Sequence, residues 1–452
     1  MFVLEEDVTM DNPNVIILVL DSLRFDYVSP ESNKSSNTPN IGDLITDGTY
    51  IDNVYSSGSW TVPAHGSLFT GKLPSETGIG GENRRFDAEQ SIAQIASDNG
   101  YTSIGASTNP WITDDFGFDR GFDVFEQSFP ELPFGSDDPR SVIKNIDGRG
   151  NVGEKWCDFI KWTLSSNQLA RVGNSIYSFL SDELPYTEAD QFNEDVLSLV
   201  TEDQSPFFLF ANYMDAHEPY MDEDELGENV SWNLESLQSP PTADLTESLR
   251  QLYADDVQFL DRHIGEFFDR LRLRGMYDDS LIVLLGDHGQ SLGENEYWGH
   301  GTFLYESLVK IPLVIKPPSD MSPIPDIPAP TSITDLFDFL FEVVNGRSDQ
   351  IDFNSIFGNE YVVTESYGPH ESLLVDGVSS DGYRGLATED CYGIINLSTA
   401  DVTTNMVEDS CLRELESIIE SKKELTTKLT DTTVTGEVDQ VVEQRLEQLG
   451  YK

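Results

Sequence analysis

Apolar runs and amphipathic stretches take turns along this chain. Three runs are continuous enough to be strands covered on both faces: Asn14-Val15-Ile16-Ile17-Leu18-Val19-Leu20, Pro206-Phe207-Phe208-Leu209-Phe210-Ala211-Asn212-Tyr213 and Ser280-Leu281-Ile282-Val283-Leu284-Leu285. Such runs belong to parallel sheets, where helices pack on both sides. Residues 102–106 and 310–316 predict further strands. Between them lie helical patterns. One helix starts at 38–44, and another occupies 91–100, with Ile92, Ile95 and Ala96 in helical spacing and Gly100 as a stop. A long amphipathic helix is predicted over 250–273, with Tyr253, Val257, Leu260 and Ile264 on one face and His263 at its surface. The alternation predicts an α/β fold, a mostly parallel sheet flanked by helices. The rhythm breaks over 127–190, where Pro/Gly turns precede an aromatic stretch around Trp156, Phe159, Ile160 and Trp162. That stretch reads as a helical insertion packed on the core or as a lid over a pocket. Residues 361–365 and 393–397 read as strands and the tail from 407 as acidic helices, a small C-terminal sheet-plus-helix subdomain. The expected division is 1–345 and 346–452.

Polar residues sit where the strands end. Asp21 closes the first run, Asp287-His288 follows the third, His217 follows the second, and Asn109 follows the strand over 102–106. In an open α/β sheet the carboxyl ends of the strands are the usual place for a ligand. A separate stretch, Ser59-Trp60-Thr61-Val62-Pro63-Ala64-His65-Gly66-Ser67-Leu68-Phe69-Thr70-Gly71, sets a hydroxyl ahead of a proline suited to a first helical turn. The unpartnered N–H groups and dipole of such a turn favour an anion beside Thr61. An ordinary N-cap threonine is the other reading of this position. Asp21, Asp287, His288 and the Thr61 oxygen can complete the shell of a divalent cation. Oxygen-rich coordination suits Mg, Ca or Mn, and one imidazole also admits Zn. The cation would lower the hydroxyl pKa of Thr61 and so make a nucleophile. His65 is expected to orient Thr61 or to contact a substrate oxygen.

The Thr61 stretch resembles the signature of the sulfatase family, within the alkaline phosphatase superfamily. Sulfatases read C-x-P-S-R-A-S-L-L-T-G, or the same with Ser first. Here Thr61 stands for the Cys and His65 for the Arg, while Pro63, Ser67, Thr70 and Gly71 match. The resemblance runs in motif order through most of 14–317. It implies that Asp21 and the Asp287-His288 pair bind metal. It places His217, in His217-Glu218-Pro219, near the substrate anion, and aligns His300 with the Lys of a sulfatase G-K-G-T; the family mechanism it implies, in-line attack with a covalent ester on Thr61, makes His217 or His300 the candidate acid for the leaving group. Asn109 stands where sulfatases often place Lys and His to hold the sulfate, and is the candidate substrate contact. Ser22 replaces the second of two adjacent metal-binding aspartates. Sulfatases oxidise their Cys or Ser to formylglycine, and threonine is not expected to undergo that conversion. Superfamily relatives with an unmodified threonine nucleophile mostly act on phosphorus: nucleotide pyrophosphatases/phosphodiesterases, phosphoethanolamine transferases and lipoteichoic acid synthases.

Composition narrows the setting. The 452 residues are 38% hydrophobic, enough for a core. The formal net charge of -54, from 81 acidic and 27 basic residues, argues against a nucleic-acid partner. It suits the solvated surface of a protein from a high-salt cytoplasm, as in haloarchaea, where salt screens self-repulsion. Three cysteines, Cys157, Cys391 and Cys411, form no disulfide or zinc pattern. With no signal-peptide pattern and no membrane span, the expected location is cytoplasmic. The favoured function is metal-dependent cleavage of a phosphate ester, or transfer of its phosphoryl group, through Thr61. A diester is preferred because the motifs supply one metal site rather than two. The alternatives are sulfate ester hydrolysis and a non-catalytic binding protein on the same fold. The expected partner is a small-molecule, glycan-linked or lipid-linked anionic ester.

Overall fold

The computed structural model describes residues 12–452 except 81–82, 130–185, 202–203, 222–225, 227–229, 369–377, 379–380, 405–408, 428, 430–441, 443–445 and 447–452. Cys157 and most of the 127–190 stretch lie outside the described residues. Seven strands make the main sheet: β1 (Asn14–Leu20), β2 (Thr49–Ile51), β3 (Thr102–Ser107), β4 (Val124–Gln127), β5 (Phe207–Tyr213), β6 (Ser280–Leu285) and β7 (Leu313–Lys316). Their spatial order is β2-β7-β6-β1-β5-β3-β4. β1 lies at the centre, parallel to β5 and β6, with Ile17 beside Phe210 on one flank and Val283 on the other. β3 runs parallel to β5, and β4 to β3. The predicted strand at 310–316 is the exception, since β7 is antiparallel to both β6 and β2.

The apolar runs are covered on both faces, as their continuity requires. On one side Val15, Ile17, Val19, Phe208, Phe210, Val283 and Leu285 pack with Val62, Leu68 and Phe69 and with helix Ile333–Val344. On the other, Ile16, Leu18, Leu20, Leu209, Ala211, Ile282 and Leu284 pack against Tyr253, Val257, Leu260 and Ile264 of helix Ala243–Leu273. Each fully buried aliphatic side chain contributes about 1.5–3 kcal/mol. The long helix begins before the predicted 250 because the Thr242 hydroxyl accepts from Leu245 N and caps it there. His263 is a correction. It is 8% exposed, its Nδ1 paired with Glu266 and its ring packed on Phe259.

A second, antiparallel sheet contains β8 (Val362–Ser366), β9 (Tyr383–Ala387), β10 (Tyr392–Asn396) and β11 (Val402–Thr404), in that order, with helix Asp409–Ser421 after it. The sequence predicted only β8 and β10. β9 carries Arg384 and Gly385 inside it, which breaks an apolar pattern. Arg384 is held there by an ion pair to Glu365 on β8. β8 also ties this sheet to the approach to Thr61, through Glu365 N donating to Ser57 O.

Candidate active site

Thr61 is the first residue of helix Thr61–Thr70, all of it buried. The N-cap is Trp60, extended at φ -160° and ψ 167°, and no side chain caps the helix. Thr61 therefore does not cap it, and its hydroxyl turns instead toward the carboxyl ends of the parallel strands. There Thr61 Oγ1 donates to Asp21 Oδ2 at 3.2 Å and lies 3.5 Å from His288 Nε2.

Asp21, directly after β1, is surrounded by donors. Asn109 Nδ2 reaches Asp21 Oδ2 at 2.7 Å, and Ser22 Oγ reaches Asp21 Oδ1 at 3.1 Å. Asp287, after β6, accepts at Oδ1 from His288 N at 2.8 Å and Ser22 N at 3.2 Å. Its Oδ2 is buried without a hydrogen-bond partner, 3.5 Å from His65 Nδ1 and 3.7 Å from His288 Nε2. His288 Nδ1 lies 2.8 Å from Gly289 O. Donating there, the ring carries its lone pair on Nε2, facing Asp21, Asp287 and Thr61. One ligand atom from each of Asp21, Asp287 and His288 falls within 4.8 Å of the others. Burial first, then the charge of Asp21, pushes the Asp287 carboxyl well above the usual carboxylate range. Among the described residues no lysine or arginine pairs with either carboxylate. Two facing buried carboxylates, one orphaned oxygen and an inward imidazole lone pair fit a divalent cation. Asp21, Asp287, His288 and Thr61 Oγ1 are the residues that would hold it.

Close backbone packing makes this possible. A Cβ on Gly286 would lie 2.7 Å from Leu23 O, and one on Gly289 would collide with Ser307 O. Ser22 has φ 60°, a left-handed conformation that costs a non-glycine residue roughly 1–2 kcal/mol. The turn aims its N–H at Asp287, while Tyr253 from the long helix donates to Ser22 O and accepts from Arg24 N, both at 2.9 Å. Ser22 thus orients both carboxylates from the place where sulfatases carry a second aspartate.

His217, Glu218 and His300 form a second buried cluster, with one ligand atom from each again within 4.8 Å of the others. The His217 and His300 rings lie 4.9 Å apart, and His300 lies 4.6 Å from His288, centroid to centroid. His217 Nδ1 bonds the Glu218 carbonyl oxygen, and His300 Nδ1 lies 2.9 Å from Gln290 Oε1. Burial, then the neighbouring His288 and His217, holds His300 well below the usual imidazole range, so it is neutral at pH 7.

Two of the expected site residues make defined contacts inside the protein. His65 meets the backbone carbonyl of Thr61, with Nδ1 at 3.0 Å, rather than its hydroxyl. The ring sits edge-on among Phe69, Phe118 and Phe210, fully buried, and burial lowers its pKa to about 4. His65, neutral at pH 7, ties down the first helical turn, the one that carries Thr61. Asn109 Nδ2 donates to Asp21 Oδ2 at 2.7 Å and lies 3.5 Å from Thr61 Oγ1, and its Oδ1 accepts from Trp111 N at 2.7 Å. It therefore positions a carboxylate from inside the site. The residues that sequence reasoning missed are Glu218, Gln290, Ser22 as a donor, and Tyr253. Glu218 and Gln290 adjoin the predicted histidine motifs, a signal that could have found them. Tyr253 reads from sequence only as part of an apolar face.

Known proteins resemble the chain in sequence and in fold. The model of the family described as Sulfatase matches residues 13–346. A choline-sulfatase of Rhizobium meliloti (strain 1021) is 21% identical over 410 residues, 80% of this chain and 76% of the relative. Iduronate 2-sulfatase of Homo sapiens is 22% identical over 359 residues, 70% of this chain and 62% of the relative. Among solved structures, the phosphonate monoester hydrolase SpPMH from Silicibacter pomeroyi superposes with TM-score 0.62 at 18% identity, over 94% of this chain and 97% of its own. The lipoteichoic acid synthase LtaP from Listeria monocytogenes gives TM-score 0.52 at 16% identity, over 93% of each chain. The fold is that of the alkaline phosphatase superfamily, and the chain belongs to the sulfatase family of ester hydrolases.

Proposed function

We propose that this protein hydrolyses a phosphate ester, or transfers its phosphoryl group, with the unmodified Thr61 hydroxyl as the nucleophile. The observation that carries the proposal is that hydroxyl itself, at a helix N-terminus and 3.2 Å from Asp21 Oδ2. A formylglycine hydrate has a second hydroxyl, so it can expel sulfate by collapse to the aldehyde. Threonine has none. Its covalent ester must be broken by attack on the central atom, which is ordinary phosphoenzyme chemistry and poorly matched to a sulfoenzyme.

A cation held by Asp21, Asp287 and His288 would supply Lewis acidity and offset negative charge on the transferred group. The chain's own residues do the rest. Thr61 Oγ–H donates toward Asp21 Oδ2, which Asn109 and Ser22 hold in place. The Oγ–P bond forms as the bond from phosphorus to the leaving oxygen breaks, and the Oγ proton passes to Asp21 Oδ2, which returns it when the Thr61 hydroxyl is restored. That oxygen takes a proton from the candidate acid His217, and the ring so deprotonated takes one back from the attacking water or alcohol in the second step. Water, or an acceptor alcohol, then attacks phosphorus, and the Thr61 hydroxyl is restored.

With one well-formed carboxylate pair, a singly charged diester is the favoured substrate. The phosphonate monoester hydrolase among the structural neighbours supports phosphorus chemistry on this fold. The test is a panel of aryl phosphate diesters, monoesters and sulfates, assayed with Mg, Ca, Mn and Zn. Phosphate ester turnover is expected to exceed that of the matching sulfate by orders of magnitude. Sulfate turnover above both phosphate esters would overturn the proposal. We also infer from the charge of -54 that the protein works in concentrated salt.

A further inference from the structure

We propose that Glu365, on β8 of the second sheet, is a positioning residue for Thr61, an inference that rests on reading Thr61 as the nucleophile. Its backbone and its carboxylate hold the chain on both sides of the Thr61 helix.

Packing alone does not fix where that helix sits along its axis. Val62, Leu68 and Phe69 pack with the main sheet, but apolar contact is non-directional. No side chain caps the helix at its start. Its register against Asp21 therefore depends on directional bonds made by the segments that enter and leave it. Both segments are bonded to one residue. On the entry side, Glu365 N donates to Ser57 O at 2.8 Å. On the exit side comes the short helix Pro74–Thr77, and its first turn meets the Glu365 carboxylate. Ser75 N donates to Oε2 at 2.8 Å and Ser75 Oγ to Oε1 at 3.0 Å. Hydrogen bonds to an ionised acceptor are the strong ones.

Glu365 is 2% exposed, and its charge is matched by Arg384, with Nε at 2.9 Å from Oε1. A buried ion pair is a poor way to gain stability, since apolar side chains of similar volume often serve as well or better. What a carboxylate adds at this place is direction. Oε1 takes both the guanidinium and the Ser75 hydroxyl, and Oε2 takes the Ser75 N–H. Arg384 is itself braced from behind. Its Nη1 donates to Glu424 O at 2.7 Å and to Thr427 O at 2.9 Å, in the segment after helix Asp409–Ser421.

A continuous line of bonds thus runs from the tail, through Arg384 and Glu365, to both flanks of the Thr61 helix. Asp21 stands on a separate piece, directly after β1 of the main sheet. The 3.2 Å between Thr61 Oγ1 and Asp21 Oδ2 is set between those two pieces. A reacting group displaced by about 1 Å can lose roughly 10²-fold in rate.

The experiment is Glu365→Asp in the full chain. Aspartate keeps the negative charge beside Arg384 but is a methylene shorter, so it cannot reach Arg384 and Ser75 together. If Glu365 only neutralises Arg384, the variant behaves as wild type. Steady-state kinetics in molar KCl use whichever ester of the panel, phosphate or sulfate, is turned over fastest. Hydrogen exchange read by mass spectrometry follows peptides spanning 56–77, with β1 as the internal reference. Circular dichroism checks the fold. The kcat is expected to fall roughly 10- to 100-fold with KM within about threefold, the mark of an interaction needed at the transition state rather than for binding. Exchange over 56–77 is expected to quicken while β1 stays unchanged. A kcat equal to wild type overturns the role, as does a loss of kcat with exchange quickened throughout the chain, β1 included. Should Glu365→Asp fail to fold, Ser75→Ala decides, since Ser75 is exposed and gives up only its Oγ bond. Faster exchange over 61–70 then supports the role, and unchanged exchange overturns it. The nucleophile reading fails separately, when Thr61→Ala keeps near-full activity. In that case, or with no ester turned over, exchange over 56–77 alone decides whether Glu365 holds the helix. Preferred sulfate turnover rejects the phosphate reading and leaves the kcat comparison intact.

Discussion

Thr61 and Asp287 show how single side chains carry this site. Thr61 is fully buried, and its Oγ1 lies between Asp21 and His288. Thr61→Ala removes the nucleophile and leaves the carboxylates and imidazole in place. Turnover is expected to fall by at least about 10³-fold, the order seen when a nucleophile is deleted. Metal binding is expected to weaken without disappearing, and Thr61→Ser to keep part of the activity. Near-full activity in Thr61→Ala would show that water is activated directly. Asp287 is a different case, with one oxygen fixed by two backbone N–H groups and the other orphaned. Asp287→Asn keeps the shape and removes the charge that would draw a cation in. It should lose the ion of that cluster while keeping a native circular dichroism spectrum. Full metal occupancy in this variant, by elemental analysis, would reject the cluster.

Among the elements, helix Ile333–Val344 packs behind the Thr61 helix and carries a titratable cap. Ser332 N donates to Asp335 Oδ2, and so does Asn359 Nδ2, both at 2.7 Å. Burial nonetheless pushes the Asp335 carboxyl up to about 6. A carboxyl raised in the folded state binds a proton there that the unfolded chain has already released. Its contribution to stability therefore falls as pH rises from the unfolded value through the folded one. Asp335→Asn keeps an acceptor oxygen and removes the titration. Relative to wild type, the variant should gain roughly 1 kcal/mol between pH 5 and pH 7.5. Urea unfolding in molar KCl at the two pH values measures this. An unchanged difference would mean that the cap does not titrate in this range.

At the scale of the whole molecule the dominant fact is a net charge of -54. At low ionic strength this charge opposes the compact state. At 1 M salt the Debye length shrinks to roughly 3 Å, and most of that repulsion is screened. The melting temperature is expected to rise steeply between low and molar KCl, and equal melting in both would remove the high-salt reading. The described surface is otherwise ordinary, with Val124 and Leu273 as its large exposed hydrophobics. No helix among the described residues is long and apolar enough to cross a membrane.

What the chain determined by itself is local. Unbroken apolar runs such as Val15 to Leu20 can only be strands packed on both faces, so the parallel core and its helical cover were legible from the alternation. The same runs point to Asp21, Asp287 and His288, because a charged residue ending a buried strand has to emerge at the sheet's carboxyl edge. Strands without that pattern were not legible: β2 and β4 at the sheet edges, and β9, where Arg384 is stabilised by Glu365 across the ladder. Partnership was settled only by tertiary structure. His65 was read beside a nucleophile, yet its ring faces phenylalanines from three separate segments, and its bond goes to the backbone. Asn109 was read as a substrate contact, and the register of β3 against β5 also brings it onto Asp21 and to 3.5 Å from Thr61 Oγ1. Glu218 and Gln290 lie 72 positions apart and meet because β5 and β6 flank the same central strand. Residue type and pattern follow from the sequence because burial acts on each position. Which polar atom faces which is a property of the assembled sheet, where distant strand ends share one small volume.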